Sequence, residues 1–190
     1  MRRISTARWR SDLGVSDRWP AKGFRLWTKG AIVAALCLAG CGAALPPTIE
    51  GRASVIDGDT LEVHGQRVRL WGVDASESRQ SCRLGGRDVA CGRIAANRLD
   101  QFLDGRPVAC FEQDTDRYGR MVARCEVAGD DLGAWLVGQG LAVRYARYAG
   151  LAYRTEEAKA RRAARGVWAG EFQLPEDWRK EQRRGRASAE

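Results

Sequence analysis

The sequence predicts an α+β fold, mainly β: a five-stranded barrel of OB type with three helices packed around it. Three observations carry that expectation. From Gly51 onward apolar and polar residues alternate with the period of a strand, in Thr60-Leu61-Glu62-Val63-His64 and again in Arg67-Val68-Arg69-Leu70. Gly58 and the Gly65-Gln66 pair interrupt the alternation where the chain must reverse. Further on, three stretches change to helical spacing, separated by a long strand-like repeat with a turn at its centre.

The elements follow in order. RASVID (Arg52 to Asp57), TLEVHG and RVRLWGVD read as three strands. A glycine-rich loop with flanking cysteines covers Arg79 to Gly92. A helix is expected over Arg93 to Leu103, with Ala95, Leu99, Phe102 and Leu103 on one face, ended by Asp104-Gly105. PVACFEQDTDRYGRMVARCEV then reads as a hairpin with Asp116-Arg117-Tyr118-Gly119 at its tip. A second helix is expected over Leu132 to Gly138, closed by GQGLA, and a third over Ala152 to Arg165, stopped by Gly166. Residues 171–190 are charged and read as a mobile tail.

A chain of 190 residues with 44% hydrophobic side chains suffices for one packed domain with appendages. Its formal charge of +8 is unevenly placed: residues 1–41 hold eight Lys/Arg against two Asp/Glu, which accounts for +6. The rest is nearly balanced, so global charge is a weak argument for a nucleic-acid partner and any anion site must be local. The N-terminus reads as an export signal over residues 1–45. Its basic residues end at Lys29, and the uncharged run from Ala31 to Leu45 is short for a membrane span of roughly 20 residues but suits a signal core. Leu38-Ala39-Gly40-Cys41 has the form of a bacterial lipobox, which would make Cys41 the lipidated mature N-terminus; cleavage after Ala44 would instead release a soluble protein. Pro46-Pro47 opens a linker over 46–50, and the folded domain is expected over 51–170.

Export bears on the cysteines. Without Cys37 and Cys41 four remain, an even number in an oxidising compartment, which points to disulfides. Zinc competes poorly, because there is no C-x-x-C and His64 is the only histidine. A hairpin turn centred between Arg117 and Tyr118 puts Cys110 opposite Cys125, close enough to bridge. Cys82 and Cys91 would then staple the intervening loop.

The chemistry-bearing stretch is VIDGDTLEVHGQRVRLWGVDASE, which gathers Asp57, Asp59, Glu62, Asp74 and Glu77 with Arg69 among them. Packed carboxylates repel unless they spread over a solvated loop or converge on a cation. Asp57-Gly58-Asp59 at one strand end and Asp74 at another can converge, and hard oxygen donors of this kind suit Ca²⁺ or Mg²⁺. A solvated acidic loop accounts for the DGD triplet alone but leaves Arg69 and the Asp74–Glu77 pair without a purpose. Cation, carboxylate base and arginine together are the equipment of phosphodiester hydrolysis.

VIDGDT, RLWGVDASE, DTDRYGR and GQGLA, in this order and spacing, resemble the motifs of the thermonuclease (staphylococcal nuclease-like) family across residues 51–170. The resemblance implies an OB barrel with three helices and Ca²⁺-dependent cleavage of DNA and RNA. By position it implies Asp59 and Asp74 as calcium ligands, with the Ala75 backbone carbonyl completing the shell and Asp57 in the outer sphere. It implies Glu77 as general base, and Arg69 and Arg120 as the arginines that grip the scissile phosphate. Tyr145 and Tyr148 fall near nucleotide-contacting tyrosines, with a packing role equally open. Two departures stand out: Ser76 sits where the family commonly has proline, which loosens the placement of Glu77, and the Arg79–Gly92 loop with its cysteines differs from the family's mobile lysine-rich loop. His64 reads as a strand surface residue, and Trp71, Trp135 and Trp168 read as core.

The leading expectation is therefore an exported, calcium-dependent nuclease, lipid-anchored in the cell envelope or released as a soluble protein, acting as a monomer on DNA, RNA or both. A catalytically inactive OB module that binds nucleic acid or another anionic polymer is the alternative, and an envelope protein using calcium only for stability is a third.

Overall fold

The computed structural model describes residues 48–188. The expected export signal, Cys41 and the first two residues of the 46–50 linker lie outside them. Where the linker was expected to run to residue 50, the chain is already paired. Strand β1 (Ile49–Asp57) opens the fold, and the Thr48 amide donates to the Cys110 carbonyl. The order continues with β2 (Thr60–Val63), β3 (Gln66–Leu70), β4 (Val73–Ala75), β5 (Cys82–Leu84), β6 (Arg87–Val89) and helix α1 (Cys91–Leu103). Then come β7 (Pro107–Thr115), β8 (Met121–Val127), β9 (Asp130–Asp131), α2 (Leu132–Gly138), β10 (Ala142–Arg144), α3 (Ala146–Ala149), α4 (Arg154–Arg162), β11 (Gly170–Glu171) and α5 (Pro175–Ala187).

The main sheet runs β3-β2-β1-β7-β8-β9, all antiparallel, and closes on itself where β3 pairs in parallel with β8. Five strands thus form a closed mixed barrel, the architecture expected from the alternation. Its inward faces supply the core: Leu61, Val63, Val68 and Val108 are fully buried, each worth about 1.5–3 kcal/mol on burial. Helix α1 packs on it through Ala95, Leu99 and Leu103, while its Phe102 ring stacks on Trp135 at 4.0 Å.

The hairpin register is the expected one. Cys110 faces Cys125 and the two are bridged; Cys82 and Cys91 form the second disulfide. One irregularity, between Glu112 and Asp114, inserts an extra residue before the tip. Helix α2 keeps its expected bounds, capped by Asp131, whose carboxylate accepts the Ala134 amide. Helix α4 is shorter than the expected 152–165 because Tyr153 takes a left-handed conformation at its start and Ala164 another beyond its end. His64 sits in the β2–β3 turn rather than on a strand face, also left-handed, and stays exposed.

The largest difference is at the C-terminus. Residues 175–187 form α5 instead of a mobile tail. Pro175 stands at its first turn with Glu176 and Asp177, where the helix dipole favours them, and Lys180 pairs with both acids.

Candidate active site

Asp57 ends β1 and Asp59 precedes β2, with Gly58 between them. A side chain at Gly58 would collide with the methyls of Ala75 and Ala95, so glycine lets the turn lie directly against β4 and α1. That closeness brings Asp59 to β4. One carboxylate oxygen of Asp59 accepts the Ala75 amide at 3.1 Å, and the other accepts Thr60 Oγ1 and Arg69 Nη1. Asp57 accepts the Asp59 amide at 3.0 Å. Arg69, on β3, also donates through Nη2 to Asp74 at 3.1 Å, so its guanidinium bridges the two aspartates.

These groups line one cleft of about 860 Å³, which also receives Glu77, Arg120, Tyr145 and Tyr148. Every expected site residue lines it except Asp74, which lies beneath, only 2% exposed. Arg120 comes from the hairpin and is held by Asp116, Nε donating at 2.8 Å. Its hydrogen bonds and those from the Tyr118 amide outweigh burial and hold the Asp116 carboxyl below its ordinary range. Tyr145 and Tyr148 meet edge to face at 4.9 Å on the opposite rim, with Tyr148 exposed.

Three contributors were not foreseen. Tyr118 lies at the hairpin tip, 71% exposed, with Arg117 and Arg120 over its ring; it sits inside the DTDRYGR motif and could have been read there. Gln80 is fully buried behind Glu77. Arg179, on α5, donates to both oxygens of Asp74 at 2.9 Å and to Glu77 Oε1 at 2.8 Å. Its signal was the proline-and-acid helix start at 175–177.

The electrostatics follow. Burial first, then the charge of Asp59, pushes Asp57 up to about 6. Burial also raises Asp74, against the hydrogen bond from Arg179. Burial pulls Arg179 down, but its hydrogen bonds to Asp74 and Glu77 outweigh this and keep it above its ordinary value. Within the bonded cluster alone, four carboxylates (Asp57, Asp59, Asp74, Glu77) meet two guanidiniums (Arg69, Arg179), a local formal balance of −2. Hard oxygen donors with that balance fit a divalent cation. Among the described residues no three acidic, histidine or cysteine side chains converge into a cage, so such an ion would draw further oxygens from backbone, water or substrate.

Barrel and cleft define a class: a small OB-type domain that gathers acids from the β1–β2 turn and β4 with arginines from β3 and the hairpin at one open groove. The chain belongs to the staphylococcal nuclease family, whose model for staphylococcal nuclease homologues matches residues 67–170. It is 43% identical over 145 residues to the succinoglycan biosynthesis protein ExoI of Rhizobium meliloti (strain 1021), covering 74% of this chain and 75% of the relative. It is 34% identical to Protein ParB of Escherichia coli, covering 78% of this chain and 90% of the relative. An uncharacterized endonuclease of Escherichia coli O157:H7 is 29% identical, covering 67% of this chain and 82% of the relative. The family match begins after Asp59 and ends before α5.

Proposed function

We propose that this protein is a nuclease that hydrolyses phosphodiester bonds of DNA and RNA with Ca²⁺ held by Asp59 and Asp74. The observation that carries the reading is the convergence of Asp59, Arg69, Glu77 and Arg120 on one cleft, with Asp74 bonded to Arg69 from beneath it. The Ala75 carbonyl and Asp57, directly or through water, complete the oxygen set. The cation supplies Lewis-acid polarisation of the phosphate and of the attacking water. Glu77 would take the proton from that water at a carboxylate oxygen as the oxygen–phosphorus bond forms, while the phosphorus–leaving oxygen bond breaks and the leaving oxygen takes a proton from solvent. Arg120, pre-aimed by Asp116, and the remaining donors of Arg69 hold the phosphate oxygens as negative charge builds on them. Tyr145 and Tyr148 offer ring faces on the rim for a base or sugar.

The same proposal places the protein outside the cytoplasm, anchored by a lipid on Cys41 and acting as a monomer. The uncharged run 31–45 and the lipobox support export, and two disulfides suit an oxidising compartment.

The test is single-stranded DNA cleavage by the mature domain, with Ca²⁺ and with chelator. Glu77→Gln should fold, still bind Ca²⁺ in calorimetry, and cleave at least about a hundredfold more slowly, since losing one preorganised group costs about 10²–10³ in rate. Full activity of Glu77→Gln, or undiminished cleavage in excess chelator, would falsify the proposal.

A further inference from the structure

We propose that the C-terminal segment beyond the family-matched region belongs to the working site, with Arg179 of α5 as a positioning residue for Glu77. The inference rests on the reading of Glu77 as the base.

The need for such a residue is local. Ser76 leaves the chain before Glu77 without the rigidity of a proline. A base placed a fraction of an ångström or a few tens of degrees away from its water loses much of its value. Two sets of contacts replace that rigidity. The first holds the backbone: the Glu77 amide donates to Gln80 Oε1 at 3.1 Å, and the Gln80 amide donates back to the Glu77 carbonyl at 2.7 Å. Gln80 is fully buried, and its Nε2 donates to the Gln173 carbonyl at 2.6 Å, just ahead of α5. On the other side Gly92 lies so close beneath the Glu77 carbonyl that no side chain fits there. The segment entering α5 is itself fastened where β11 pairs with β5, next to the Cys82–Cys91 bridge.

The second set holds the side chain. Among the described residues Arg179 is the only side-chain partner of the Glu77 carboxylate. Its planar fork takes both oxygens of Asp74, and one of the same nitrogens reaches Glu77; with Arg69 also on Oδ1, an acceptor site on Oδ2 stays open for the proposed cation. Base and buried aspartate are therefore set at one spacing by a single rigid guanidinium, in a charge-assisted and bidentate arrangement. The Arg179 side chain is only 26% exposed, unlike an ordinary surface ion pair. A lysine could keep the charge but not the fork.

The experiment compares Arg179→Ala, Arg179→Lys, Glu77→Gln and the Glu77→Gln/Arg179→Ala double variant in the full chain. Single-stranded DNA is the substrate, and melting is followed without added metal. Arg179→Ala should lower kcat about 10–100-fold, the range for residues that orient a reacting group through another, with KM for DNA within about threefold. Arg179→Lys should recover part of that loss. In the Glu77→Gln background the arginine change should cost less than about threefold, because its action passes through Glu77. The metal-free melting shifts of the two single variants should likewise fail to add. Wild-type kcat in Arg179→Ala would overturn the inference. So would a rise, which would make Arg179 a competitor for Asp74, and so would equal slowing in both backgrounds, which would make its role merely structural. A fully active Glu77→Gln removes the nuclease mechanism itself, whereas a slow Glu77→Gln beside a normal Arg179→Ala removes only the role given to α5.

Discussion

Asp57 shows how a single carboxyl can record the state of this cleft. Burial, then Asp59, raises it from 3.8 to about 6. Between those values the folded protein binds more protons than the unfolded chain, so stability falls as pH rises through that window. Asp74 is raised as well and acts in the same direction. The metal-free protein should therefore melt higher at pH 5 than at pH 7. Asp57→Asn should melt higher than wild type at pH 7 and lose much of that slope, as thermal scans across pH 4–8 can measure. A slope unchanged in the variant would assign it to other groups. The identities of Asp57, Asp59, Asp74 and Glu77 were legible in the sequence because their spacing is local. Their partners were less so: the bridge that Arg69 makes between Asp59 and Asp74 was not foreseen.

Among the elements, the hairpin and α2 were readable because alternation and turn position fix register, and Asp131 caps the helix start. Helix α5 was missed because its thirteen residues carry no apolar stripe, only Pro175, Trp178 and Ala187 among charged neighbours. Its stability comes from docking on the cleft, a tertiary cause that periodicity does not contain. Helix α4 fell short of its expected span for a similar reason, since Gly133 makes room for the Tyr153 ring, whose hydroxyl donates to Asp131. The two disulfides belong to different elements and should fail differently. Each should stabilise the fold by about 2–4 kcal/mol. Loss of Cys82–Cys91 should also lower kcat, because β5 anchors the Glu77 loop and the segment leading to α5. Loss of Cys110–Cys125, a cross-strand staple far along β7 and β8 from the hairpin tip, should lower the melting temperature with kcat nearly unchanged. Melting and kinetics of the two paired Cys→Ala variants check this, and equal kcat losses would contradict it.

Across the whole sequence, most of the net positive charge falls in the first 41 residues. If Cys41 carries lipid, the protein partitions into detergent, and Cys41→Ser releases it or leaves its precursor unprocessed. A mature N-terminus at Leu45 with no lipid mass would contradict the anchor. The seam where β3 meets β8 has a consequence at this scale too. Val68, Arg69 and Leu70 occupy one half of the outer side of β8, and β9 occupies the other half. A five-stranded sheet would otherwise end in two rows of unpaired amides and carbonyls, each a template on which a neighbouring chain can add a strand. Closing the ring spends both rows on each other. The contact that carries Arg69 to the mouth of the cleft therefore also shields these two strands from edge-to-edge aggregation.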